Sequence, residues 1–150
     1  MANTQAIATS FKVESFNGVH AFGTTVVRGA TTKDSFKAAL FYATASLGAA
    51  TTAYSTTGEV VDASYTAGGV AVTNANAPAS SGTTAYWTPS AAFAWTALTA
   101  AAFDAVLLYN STQADKAVAV YTFGSQSITA GNLSLNMPTN DASTGLLRLA

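Results

Sequence analysis

Two apolar runs face one another across a polar gap in the last third of the chain. Phe103-Asp104-Ala105-Val106-Leu107-Leu108-Tyr109 and Ala117-Val118-Ala119-Val120-Tyr121-Thr122-Phe123 flank Asn110 to Lys116. Apolar runs with Asn, Ser, Asp and Lys between them predict a hairpin of two strands. Phe103, Ala105, Leu107 and Tyr109 fall on one face and Val106 and Leu108 on the other, so both faces are apolar. Strands of that kind belong in the middle of a sheet, between layers.

The rest of the chain reads as short strands separated by turn signals. Phe11-Lys12-Val13-Glu14 alternates as a half-buried strand does, Asn17-Gly18 is a turn, and Val19 to Arg28 is extended, with Gly23 as a bulge. Phe36 to Tyr42 is a clear strand. Ala43 to Thr57 is a structured connection with room for one helical turn at Thr51 to Tyr54. Gly58, Gly68 and Gly69 then punctuate the approach to a short strand at Val70 to Thr73. Asn74 to Thr84 is a loop, and Tyr86-Trp87-Thr88 and Phe93-Ala94-Trp95 are two short strands on either side of Pro89. Asn132-Leu133-Ser134-Leu135-Asn136-Met137 alternates perfectly, Pro138 to Gly145 turns, and Leu146 to Leu149 closes the chain. Eight to ten strands without a long amphipathic helix predict an all-β fold. The expected architecture is one antiparallel β-sandwich or jelly roll over residues 1–150, with residues 1–10 as an extended N-terminal arm.

Composition changes this picture in one respect. Charged residues make up 9% of the chain, against roughly 25% for an ordinary soluble domain. They are scattered without a run of like charge, and none lies between Ala63 and Phe103. A net charge of −1 without a basic cluster argues against nucleic acid as a partner. So uncharged a surface is prone to association and suits a protein housed in an assembly; a secreted β-domain kept soluble by hydroxyls is the alternative. The first residues lack the basic and apolar regions of a secretion signal. The window from Ala91 to Tyr109 is too rich in Ala and Thr, and holds Asp104, to read as a membrane span.

Candidate chemistry is sparse. There is no Cys, and His20 is the sole histidine. No serine sits in a Gly-x-Ser-x-Gly elbow, and Asp62, Asp104, Asp115 and Asp141 are isolated from one another. Gly68-Gly69 lacks the Lys and helix of a phosphate-binding loop. The sequons Asn110-Ser111-Thr112 and Asn132-Leu133-Ser134 carry no weight without secretion. Catalytic, cofactor-binding and metal sites are therefore all expected to be absent, and the chain is expected not to be an enzyme. Trp87, Trp95, Tyr86, Tyr54 and Tyr65 could stack on sugars, but an Ala-rich core needs large rings.

Several segments resemble small virion structural proteins of tailed bacteriophages, the head decoration or cement-like family. They are Ala49-Ala50-Thr51-Thr52-Ala53-Tyr54, Thr57-Gly58-Glu59-Val60 and Tyr65-Thr66-Ala67-Gly68-Gly69, then Asp104 to Asn110, the Lys-Ala-Val-Ala-Val strand and Gly145 to Leu149. The chain departs from that pattern at Val61-Asp62-Ala63-Ser64, where a Ser-Gly-rich turn is expected. The resemblance implies a capsid decoration protein on the virion head. Its expected partners are the major capsid protein or other virion proteins and a second or third copy of itself. A tail, collar or fibre-anchoring component is the alternative within the virion, and a carbohydrate-binding or adhesion module the alternative outside it.

Overall fold

A computed structural model describes residues 3–8, 10–11, 15, 18–23 and 33–150. The strands are β1 (Ala6–Ile7), β2 (Phe36–Tyr42), β3 (Val70–Ala71), β4 (Ala79–Ser81), β5 (Thr84–Trp87), β6 (Phe93–Asn110), β7 (Lys116–Leu135) and β8 (Leu147–Leu149). They form two antiparallel sheets, ordered β1-β7-β6-β2-β3 and β4-β5-β8. The fold is all-β, as the spacing of apolar runs predicts.

The hairpin is the spine, and it is far longer than its apolar runs. Phe93–Trp95 and Asn132–Leu135, expected as separate strands, are the outer ends of β6 and β7. A straight strand of this length would span roughly 55–60 Å. Its two ends cannot be so far apart. Asn110 pairs with Phe36, whose carbonyl accepts the Val72 amide, and the next carbonyl, Thr73, accepts the amide of Ser90. Three residues further on is Phe93, within roughly 30 Å of Asn110 along that path. The hairpin therefore folds back on itself. Phe93, Trp95 and Leu98 are buried in the same cluster as Leu40, Val106 and Leu108, while Ala94, Thr96 and Thr99 between them stay exposed.

The bend is made by bulges. The β6–β7 register shifts between Trp95 and Leu98, between Leu98 and Ala100, and between Ala100 and Phe103. The extra residues are Ala97, Ala130 and Ala102, all at positive φ (53°, 45° and 54°). Each amide is taken by a side-chain oxygen of the opposite strand: Ala97 by Asn132, Ala130 by Thr99 and Ala102 by Ser127. A bulge increases twist and turns the strand, and strands that pass from one layer to another do so at such points.

The N-terminal residues differ from the expected arm. Asn3 Nδ2 donates to the Tyr42 carbonyl and to Asp104 Oδ1, and Asn3 Oδ1 accepts the Leu47 amide. Ala6 and Ile7 pair with Val120 and Ala119, and Ala8 is buried. One asparagine and a two-residue strand leave no periodic trace, which is why the segment reads as unstructured. Phe11, expected to open a strand, is helical and buried; Lys12, Val13 and Glu14, and Val19 to Arg28 beyond Gly23, lie outside the described residues. Thr51 to Tyr54 makes no helical turn: Ala53 bridges to Lys116 instead. The expected loop at Asn74 to Thr84 contains β4.

Two outcomes test this description. At Ala102 a glycine relieves a left-handed backbone, so Ala102→Gly should leave stability unchanged or raise it by up to about 1 kcal/mol, whereas Ala105→Gly in the buried strand should lower it. Urea midpoints measure both. Asn3→Ala should cost about 1–3 kcal/mol, because it orphans the Leu47 amide and Asp104; an unchanged midpoint would mean the N-terminal residues are dispensable.

Candidate functional site

The most developed polar constellation lies along the outer edge of β2. Two pieces of chain cover that edge. Gly58 to Val60 bonds to Tyr42 and Leu40, and β3 pairs with Lys37 and Ala38. Residues 61–69 loop out between them, so the Leu40 amide has no strand opposite it. The Tyr65 hydroxyl fills the gap: it accepts the Leu40 amide at 2.9 Å and donates to Glu59 Oε1 at 2.8 Å. Glu59 is buried and takes two more donors, the Gly68 amide at 2.7 Å and the Tyr54 hydroxyl at 2.6 Å. Tyr54 stacks on Tyr109, with ring centroids 4.7 Å apart, and Tyr109 donates to the Gly68 carbonyl. The chain passes so close to β2 here that a Cβ on Gly69 would lie 1.9 Å from the Ala38 carbonyl oxygen.

This geometry decides what Glu59 can do. Its two oxygens hold three good donors, a closed arrangement that ties the loop to the sheet. Burial, followed by the bond to Glu59, pushes the Tyr54 and Tyr65 hydroxyls well above the ordinary tyrosine range. Burial, then the charges of Asp115 and Glu59, pushes Tyr109 up to about 12. All three stay protonated as donors at neutral pH. Gly68-Gly69 is thereby accounted for as a close chain approach.

A second cluster caps the tight end of the hairpin. Asn110 is fully buried, and its side-chain oxygen accepts the amides of Thr112 and Gln113. Its Nδ2 is thus the nitrogen, and it donates to Asp34 Oδ2 at 2.8 Å and meets His20 Nδ1 at 3.0 Å. His20 Nδ1 is then an acceptor, with the ring proton on Nε2. Gln113 and the Ala21 amide also donate to Asp34. The lone histidine and this aspartate hold the turn. A buried Asn110 also closes one sequon to modification.

The aromatic candidates are largely committed to the interior. Trp87 is 3% exposed, its Nε1 donates to Asn74 Oδ1 and the Asn76 carbonyl, and its ring meets Phe22 and Phe36. Trp95 is 5% exposed. Neither offers an open face to a sugar ring. Beside Trp87 lies a small apolar pocket of about 170 Å³ lined by Phe11, His20, Phe22, Leu147 and Leu149. A larger cleft of about 580 Å³ runs between β1 and β8 and is lined by Ile7, Tyr121, Pro138 and Arg148. Asp141 is occupied locally: the Ser143 hydroxyl, then the Thr144 and Ser143 amides, donate to its Oδ1 and hold its carboxyl well below the usual range. Among the described residues no three His, Cys, Asp or Glu side chains gather as metal ligands.

The chain matches no known family model, no curated protein and no solved structure. Its own residues therefore carry the functional reading. The Tyr54–Glu59–Tyr65–Gly68 cluster is the feature missed by the sequence reading. The only local signal was two tyrosines on either side of a Gly-Glu pair ahead of Gly68-Gly69.

Glu59→Ala should cost about 3–5 kcal/mol, since it strands the buried Tyr65 hydroxyl and Gly68 amide and the half-buried Tyr54 hydroxyl; thermal unfolding measures it. The tyrosines also set an alkaline limit. Their folded-state pKa values lie above the unfolded value of 10.0. The stability they contribute is thus complete below pH 10 and falls as pH rises from there through the folded values. Tyr65→Phe should shallow that fall. A flat profile above pH 10 would show that the hydroxyls are not held as described.

Proposed function

We propose that this protein is a structural component of a tailed-bacteriophage virion, a capsid decoration or cement protein that binds the assembled head. The observation that supports this reading is the uncharged outer face of the folded hairpin. Ala94, Thr96, Ala97, Thr99 and Ala101 on β6 and Ser125, Ser127 and Thr129 on β7 are exposed or nearly so, and no ionisable side chain lies among them. Surfaces that must stay apart in solution carry mixed charge; a neutral, hydroxyl-rich face on a stiff scaffold suits one that meets neighbours repeatedly. The partner would be the major capsid protein, and the place the outer surface of the head.

The mechanism is mass action. A protein that binds only the mature lattice stabilises it, by about 2.7 kcal/mol per site at a hundredfold excess over Kd. The hairpin's rigidity serves this, because a pre-ordered surface loses little entropy on docking.

Purified protein added to heads lacking it should bind at a fixed ratio to the major capsid protein and raise their melting temperature. Thr96→Glu with Ala101→Glu, both on the exposed face, should weaken binding at least ~10-fold, or about 1.4 kcal/mol, with no change in the free protein's unfolding. Binding to tails alone would favour the collar or tail role. Binding to no part of a virion would reject the proposal.

A further inference from the structure

Beyond Val120, β7 has β6 on one side and no strand on the other among the described residues. Most of the hairpin's open edges are broken. Register shifts interrupt β6 around Ala97 and Ala102 and β7 around Ala130 and between Thr122 and Gln126. Irregular edges of this kind pair poorly with a neighbouring strand. Gly131 to Leu135 is different. Leu133, Ser134 and Leu135 pair in step with Trp95, Ala94 and Phe93, and no residue from Gly131 to Leu135 is at positive φ.

This straight edge is also unguarded. Natural monomers protect such edges with lysine, proline or inward charge. From Ala117 to Met137 there is no charged residue and no proline. Along the same stretch Leu133, Leu135 and Met137 are only half-buried, between the exposed Asn132, Ser134 and Asn136. A row of partly covered apolar side chains beside an unpaired backbone is a layer that stops one strand early.

We propose that Gly131–Leu135 pairs antiparallel with the same segment of a second copy, joining two chains about a two-fold axis. The segment has no charge of either sign to match an oppositely charged partner, and none to repel itself. Two-fold antiparallel pairing about Leu133 sets that leucine beside its own copy, Ser134 beside Asn132 and Leu135 beside Gly131. The outer ribbons of the two copies then form one four-stranded layer, in the order β6-β7-β7-β6, that covers the leucine row. Such an interface is closed, so it makes dimers and not trimers. The inference concerns the free protein and does not rest on the virion reading.

Sedimentation equilibrium tests it. The wild type should have twice the 15.2 kDa chain mass. Ser134→Lys with Asn136→Lys, at exposed positions, should be monomeric with an unchanged circular dichroism spectrum, while Ala63→Lys with Thr66→Lys, in the exposed 61–69 loop, should remain dimeric. Mixing the Ser134→Lys/Asn136→Lys protein with a Ser134→Glu/Asn136→Glu protein should restore dimers. That rescue would not follow if the lysines had merely disturbed the strand. A monomeric or trimeric wild type overturns the proposal, as does a dimer indifferent to the edge lysines or a charge-swapped pair that stays apart. Binding to heads is scored separately, so either reading can fail alone.

Discussion

Everything in this fold depends on one hairpin turning back over itself. The turn requires three alanines in a left-handed backbone, at a cost of roughly 1–2 kcal/mol each. Against that cost stands the burial of Phe93, Trp95 and Leu98, worth roughly 1.5–3 kcal/mol per large side chain. The two sums are similar, and burial has the advantage. The side-chain caps then matter out of proportion to their number. Asn132, Thr99 and Ser127 occupy amides that the ladder has dropped, and without them the bend would add unmet donors to strained backbone.

The same physics explains what could be read from the sequence. The inner hairpin and β2 are dense apolar runs buried on both faces, and such runs announce themselves: Phe36 to Tyr42 is found with the bounds expected. The outer hairpin was legible only in pieces. Phe93–Trp95 and Asn132–Met137 each look like strands, yet nothing marks them as the far ends of the strands already identified. Positive-φ positions usually carry glycine, and here alanine stands in a background of alanine and threonine. The clusters around Glu59 and Asn110 were out of reach for another reason. Their members lie on separate segments, such as Asp34 with Asn110, and meet only when the topology is known.

Placing the buried charges clarifies how the edges are managed. Among the described residues Asp34 and Glu59 are the buried acids, and each accepts hydrogen bonds from neutral donors. Glu59 closes the outer side of β2, where a nine-residue loop interrupts the strand. Asp34 secures the hairpin's tight end. On the other side of the sheet, Asn3 ties the N-terminal residues to Tyr42, Leu47 and Asp104, and β1 covers two residues of β7. Side chains therefore seal the sheet at these places without a full strand.

That economy stops at the outer ribbon, which has the longest open edges among the described residues and no ionisable group. Exposed edges of neutral sequence lower the barrier to association, and a chain that functioned as a free monomer would gain from a single lysine there. Its absence has a direct physical reading. A charge on this face would have to be desolvated wherever the face is covered, at a cost of several kcal/mol if left unpaired. Hydroxyls and amides can be covered at little cost because they can re-pair with the groups that cover them. Low charge on the ribbon and a stiff, bulge-set shape beneath it are thus two aspects of one surface, suited to being buried against a neighbour.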